Sequence, residues 1–374
     1  MRAEPRMTPR ERVRAALMHQ TPDRTPFSWN FGPTPEMARA LEAALGARSV
    51  DWSTLRRAVD DVRVISPRYV GPDLPSNTDI WGIVRTPQSY GGGSYNEISH
   101  HPLAGVRDSN DLEAYPWPDP DLYDYGGLPD LIAQVDPEGL RARKLAIDAC
   151  GNPFEIYTWM TGLEETMVNL LIRPGVVRAA LSHITDFFAE TMRRSLAEIG
   201  GELDLVYFAD DLGGQRALLF SPETYRSVLK PFHRRLFQEA RALLPRAAVM
   251  YHSDGAVFDI LGDLVDAGID VLEAVQIDAA GMEPERLKRA FGDRLSFHGG
   301  ISVQSLLVDE EAETVSDRCR GLIATLGAGG GYIAAPTHAI QVGTPPENVL
   351  AMLRAVLGDA DFEAAMRTAR IQDG

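Results

Sequence analysis

A (β/α)8 (TIM) barrel is the fold that the sequence predicts, on three observations. Eight short apolar runs recur along the chain: Pro26–Asn30, Val62–Ile65, Leu145–Cys150, Leu203–Phe208, Ala247–Tyr251, Ile269–Leu272, Leu295–Phe297 and Tyr332–Ala335. Amphipathic stretches separate them, and alternating β and α units imply a parallel sheet. Polar residues follow the runs: Asn30, Asn152, Asp210, Asp211, His252, Asp254, Gln276, His298 and His338. In a parallel barrel the C-terminal strand ends converge on one face, so residues far apart in sequence share one pocket. That arrangement is an enzyme's.

The 374 residues are read as a single barrel domain, with an N-terminal helix at about 8–20 and an insertion at about 69–140. Thr8 at the N-cap, Pro9 in the first turn and Glu11 three residues after the cap make a capping box, and Val13, Ala16 and Leu17 share one face of the helix. Pro22 and Pro26 end that segment and frame the first strand, Pro26–Asn30. The insertion holds a predicted hairpin, Asp79–Arg85 against Ser94–Ser99, and a proline-rich stretch, Tyr115–Pro120. Long loops with little regular structure are usually functional, so it reads as a lid on the barrel; a separate small domain is the alternative. Further on, Ser221 caps a helix with Pro222 in its first turn, and Pro284–Phe291 is another amphipathic segment. A doubly wound sheet would need a glycine-rich phosphate turn opening a helix. Gly91–Gly93 lies between tyrosines and Gly327–Gly331 precedes a strand, so both read as turns.

Composition bounds the function. Hydrophobic residues at 44% and charged residues at 24% suit a soluble globular enzyme whose core folds without staples. A formal charge of −16 repels phosphate at long range, which disfavours nucleic acid and anionic membranes as partners. Cys150 and Cys319 form no metal-binding spacing, and two thiols in so long a chain point to a reducing compartment, so the expected address is cytoplasmic. The N-terminus has no apolar signal core, and no stretch approaches the length of a membrane span.

Individual residues suggest chemistry. At an extended strand end, His252 and Asp254 face the same side and can chelate one ion; the same spacing also serves a His–Asp hydrogen bond. Asp210 and Asp211 face opposite sides, so one enters the pocket while the other caps the following turn. His298, ahead of Gly299 and Gly300, is a candidate acid–base, ligand or buried structural group. Gln276 can orient a substrate amide or ring, or act as a structural bridge. The expected catalytic set is Asp210, His298 and Gln276, with Asn30, Trp29, Asn152, Tyr157 and Asp211 as substrate contacts. Trp29, Trp81, Tyr157 and Trp159 are either an aromatic wall or core.

Several blocks carry a resemblance: Asp210-Asp-Leu-Gly-Gly-Gln215 with Ser221-Pro-Glu-Thr-Tyr225, His252-Ser-Asp-Gly255, Phe297-His-Gly-Gly-Ile301, and Gly330 to His338 leading to Thr344-Pro-Pro-Glu-Asn348. Over nearly its whole length the chain resembles the uroporphyrinogen decarboxylase superfamily, which includes methyltransferases acting on corrinoid proteins and coenzyme M. The resemblance implies the (β/α)8 fold. True decarboxylases carry an RQAGR motif after the first strand; here that stretch is Ser28-Trp-Asn-Phe-Gly-Pro33, without arginine. Uroporphyrinogen, with eight carboxylates, is therefore not the expected substrate.

The methyltransferase branch binds zinc through an HxC pair and a later cysteine. The matching positions here are His252, Asp254 and His338, which the resemblance implies as ligands of zinc or another divalent ion. The expected activity is methyl transfer between a small methylated or methoxylated substrate, or a pterin, and a corrinoid carried by a cobalamin-binding partner protein. A metal-free decarboxylase of a small carboxylated substrate is the alternative, and the chain is expected to be a monomer or a homodimer.

Overall fold

The computed structural model describes residues 6–90, 93–147 and 151–371, in which the chain divides into two units. One comprises Met1–Arg63, Gly139–Ala142 and Val271–Gly374; the other comprises Val64–Glu138 and Arg143–Asp270. Each alternates parallel strands with helices.

In the first unit, strands Val271–Ala274, Ser296–Ile301 and Tyr332–Pro336 run parallel, with Phe297 level with Leu272 on one side and Tyr332 on the other. Every residue in them is buried, as in strands covered on both faces. Helices Pro284–Phe291 and Ala312–Leu326 bury Leu287, Phe291, Val315, Leu322 and Leu326. Gly299 has a φ of +119°, and a Cβ there would lie 1.9 Å from the Ala274 carbonyl oxygen. Gly299→Ala is therefore expected to lower stability by about 2–3 kcal/mol, read as a lower urea midpoint at unchanged slope.

The expected first strand is reduced to a parallel bridge between Phe27 and Ala334. Pro26 has no N–H to offer, the Phe27 N–H donates to Asp61 at 2.8 Å, and Asn30 turns the chain at a φ of +57°. Asp61 is 1% exposed and also accepts from Arg12 at 3.0 Å and Arg24 at 2.8 Å. This carboxylate ties the N-terminal helix, Pro9–Leu17, to the strand region. The helix starts as the sequence implies, with Thr8 and Glu11 satisfying each other's backbone N–H groups. It stops short of the expected end because His19 takes a φ of +53°.

In the second unit, strand Leu205–Ala209 lies between Ala142–Ala146 and Ala248–His252, all parallel, with Ala209 level with His252. The run predicted at Leu145–Cys150 forms its strand earlier in the chain, and residues 148–150, Cys150 among them, lie outside the described residues. An apolar-run reading passes over Arg143 and Lys144, yet both are buried. The Arg143 guanidinium pairs with Asp136 at 3.0 Å and with Glu202, while the Lys144 ammonium stands 4.3 Å over the Tyr207 ring.

The hairpin pairs Val84–Tyr90 with Gly93–His100, so the first strand starts later than expected. Residues 79–83 form a turn instead: Asp79 accepts from the N–H groups of Trp81 and Ile83, and Gly82 has a φ of +75°. Gly91 and Gly92, read as part of a turn, lie outside the described residues. Trp81 packs edge-on to Phe187 of the long helix Pro174–Ile199, placing it in the core instead of a ligand wall. Among the described residues no helix is long and apolar enough to cross a membrane.

Candidate active site

Two clusters of titratable side chains stand at strand ends, one in each unit. In the second unit the chain leaves strand Leu205–Ala209 through Asp210 and Asp211, and strand Ala248–His252 through Ser253 and Asp254. The two exits are tied together. Asp254 N–H donates to Asp211 Oδ1 at 2.8 Å, Leu212 N–H to Ser253 Oγ at 3.0 Å, and Ala256 N–H to the Gly214 carbonyl at 2.9 Å. Close approach requires glycine, since a Cβ on Gly255 would lie 2.2 Å from the Gly213 carbonyl oxygen.

This lacing gathers Asp211, His252 and Asp254, whose ligand atoms all lie within 4.8 Å of one another. His252 Nε2 is 3.4 Å from Asp211 Oδ1; the imidazole is buried, whereas the Asp211 side chain is 41% exposed and leaves the cluster accessible. Two carboxylates and one imidazole are a donor set that suits a divalent cation with room for further ligands. Asp211, expected to contact substrate, thus joins the pair read as metal ligands. His338 lies in the other unit, exposed and stacked on Phe31 with ring centroids 4.7 Å apart.

Asp210 faces the other way, as alternation requires. It is 0% exposed and accepts the N–H groups of Phe154 at 3.1 Å and Glu155 at 2.7 Å, so it caps helix Pro153–Thr161 from a neighbouring strand. His233 Nε2 lies 2.7 Å from Asp210 Oδ2, and its Nδ1 is 3.2 Å from the Tyr225 hydroxyl. Burial pushes the His233 pKa down to about 3, leaving the imidazole uncharged. Burial also pushes the Asp210 carboxyl upward, against the two backbone N–H groups. Asp210, expected to be catalytic, therefore serves as a buried brace. It holds the helix carrying Asn152 and Glu155.

Asn152 Nδ2 donates to Glu155 Oε2 at 3.0 Å. Burial pushes the Glu155 pKa up to about 8, reinforced by the charges of Asp211 and Asp210. Glu155 therefore carries a proton near neutral pH beside the His–Asp cluster. Tyr157, an expected substrate contact, is 1% exposed, and its hydroxyl accepts from Asn169 at 3.2 Å.

The first unit's cluster is Asn30, Glu273 and His298. Asn30 Nδ2 donates to Glu273, and His298 Nδ1 lies 3.9 Å from Glu273 Oε1. Both Glu273 and His298 are essentially buried, making a low-dielectric acid–base pair. Gln276 is buried in the following turn, where its carbonyl accepts the Ala279 N–H at 3.1 Å. Trp29 is 2% exposed, packs edge-on to Phe27 and Trp52, and donates its indole N–H to the Arg56 carbonyl at 3.0 Å. It is a packing residue.

Glu155, Glu273 and His233 escaped the sequence reading. Glu155 looks like an ordinary first-turn acid, a common complement to a helix N-terminus, and His233 sits inside an amphipathic helix with no motif around it. Glu273 closes an apolar run, a signal that could have found it.

The uroporphyrinogen decarboxylase (URO-D) family profile matches residues 101–358. A uroporphyrinogen decarboxylase of Coxiella burnetii (strain RSA 493 / Nine Mile phase I) is 24% identical over 355 residues, covering 90% of this chain and 85% of that protein. A methylated-thiol–coenzyme M methyltransferase of Methanosarcina mazei is 25% identical over 256 residues, covering 68% of this chain and 64% of its own length. Among solved structures, a methyltransferase from Methanosarcina mazei covers 93% of this chain and 98% of its own at a TM-score of 0.66 and 17% identity. That likeness is one of fold, and it makes the fold class the expected α/β barrel. These relatives are enzymes, and the extent of the profile match settles the grouping: the chain belongs to the uroporphyrinogen decarboxylase (URO-D) family.

Proposed function

We propose that this chain is a methyltransferase of the URO-D family that holds a divalent cation on Asp211, His252 and Asp254. In this reading it moves a methyl group between a small methylated substrate, or a pterin, and a corrinoid carried by a separate protein. The observation that carries the reading is the gathering of one imidazole and two carboxylates within 4.8 Å at adjacent strand exits. The relative named as a methyltransferase supports it, as does the lack of any arginine in Ser28–Pro33 to receive a polycarboxylate.

A cation bound there supplies Lewis acidity, which activates the atom that loses or accepts the methyl group. The chain's own residues do the rest. Asp210 holds the helix start, Asn152 orients the Glu155 carboxyl, and Glu155 keeps a proton available near neutral pH.

Zinc, cobalt or manganese is expected to bind at about one equivalent, measured by inductively coupled plasma mass spectrometry on untagged protein. His252→Ala and Asp211→Ala are each expected to abolish it. Wild-type protein that takes up none of the three metals would sink the cation site. The buried Asn30–Glu273–His298 cluster favours a second reading, a metal-free decarboxylase of a small carboxylated substrate with His298 as proton donor. Release of carbon dioxide without a corrinoid partner would select it.

A further inference from the structure

A surface helix ordinarily buries its apolar stripe and turns its polar side outward. Helix Leu163–Ile172 does the reverse: it buries Thr166 and Asn169 beside Leu170, while Leu163 is 55%, Val168 44%, Leu171 75% and Ile172 63% exposed. Those four side chains and the half-buried Met167 lie on one side of the helix, with Val168, Leu171 and Ile172 adjacent at i, i+3 and i+4. The inward polar groups are satisfied. Thr161 and Thr166 hydroxyls are 2.6 Å apart, and Asn169 Nδ2 donates to the Tyr157 hydroxyl at 3.2 Å. The outward apolar groups have no such account, and contiguous apolar faces of this kind mark contact sites.

The charges of the helix point to what covers it. Glu164 stands within the apolar face near the N-terminal end, and Arg173 follows the last helical residue. Neither has an ion-pair partner among the described residues, and the Arg173 guanidinium donates to the Asn169 amide oxygen at 3.0 Å. The neighbouring pair, Arg107 with Glu165, is already closed within the chain. An acid near one end and a base at the other are self-complementary when two copies of the helix run antiparallel. A two-fold axis across the helix near its midpoint then sets Glu164 of each copy against Arg173 of the other, and also opposes the two helix dipoles. The same operation lays Leu171 and Ile172 of one copy over Leu163 to Val168 of the other. That stretch borders a surface cavity of about 500 Å³ lined by His101, Arg107, Leu163, Glu165, Val168 and Arg173, which can receive the protruding side chains.

We propose that helix Leu163–Ile172 is the contact face of a reversible two-fold dimer of this chain. Ten residues make a helix about 15 Å long, so the face offers less than the roughly 800 Å² per partner of a standard interface, and the expected dissociation constant is micromolar.

Sedimentation velocity of the full chain from about 1 to about 200 μM, at about 0.15 M salt, is expected to show a monomer–dimer equilibrium. Leu171→Glu replaces a solvent-facing side chain and is expected to leave only monomer over that range. Glu164→Arg and Arg173→Glu are each expected to weaken pairing at least about tenfold, since each turns two attractions into two repulsions. Combining the two charge reversals is expected to return the dissociation constant to within about threefold of wild type.

A wild-type chain that stays monomeric overturns the proposal. So does a dimer that persists in Leu171→Glu, which puts the pairing on another face, and so does a combined charge reversal that restores nothing, which removes the antiparallel register. Monomeric protein that floats with phosphatidylcholine vesicles, and ceases to do so on Leu171→Glu, also overturns it and gives the helix to a lipid surface.

Discussion

Asp210→Ala is expected to cost about 3–5 kcal/mol of folding stability, because it leaves three buried hydrogen-bonding groups unmet at about 1–3 kcal/mol each. The carboxylate is fully buried and meets three groups: the Phe154 N–H, the Glu155 N–H and His233 Nε2. Alanine leaves all three without their acceptor and opens a small void. Asp210→Asn keeps the volume and one carbonyl oxygen, so it should cost less. Urea unfolding followed by tryptophan fluorescence checks both. An Asp210→Ala midpoint indistinguishable from wild type would return the residue to the role of a catalytic acid whose loss affects chemistry alone.

Acidification is expected to weaken the fold through His233. The imidazole is neutral in the folded chain, with its pKa pushed down to about 3 by burial from an ordinary 6.5. The unfolded chain gains this proton below 6.5, whereas the folded chain gains it only near 3. The stabilisation is therefore complete above 6.5 and drains away as pH falls towards 3, at about 1.4 kcal/mol per pH unit and on the order of 4 kcal/mol over the window. His233→Gln cannot titrate but keeps an N–H group at a similar reach for Asp210. It is expected to be less stable than wild type at neutral pH and to lose stability less steeply on acidification. Parallel slopes for the two proteins between about pH 6.5 and about pH 4.5 would show that His233 does not carry the acid sensitivity.

The parts legible in the sequence are those that depend on local periodicity. Strands at Leu205–Ala209, Ala248–His252 and Tyr332–Pro336 coincide with apolar runs to within two residues, because strands buried on both faces are apolar throughout. The i, i+2 spacing of His252 and Asp254 brought two side chains to one cluster for the same reason. Alternation also placed Asp210 and Asp211 on opposite faces. It could not say which face holds the site, because that depends on helix Pro153–Thr161 beginning next to Asp210. The first strand was lost to a tertiary competitor, the Asp61 carboxylate that claims the Phe27 N–H. Glu155 was hidden because an acid in a first helical turn has a sufficient local explanation.

The lacing of the two strand exits separates the position of the donors from their identity. Leu212 to Ser253, Ala256 to Gly214 and the glycine contact at Gly255 hold the loops together without using the Asp254 carboxylate. The residue at 254 can thus be exchanged for another ligand while the frame stays in place. A thiolate there would replace a hard oxygen donor with a soft sulfur donor in a single substitution, so the chemical character of the cluster can change over evolutionary time without first rebuilding the loops.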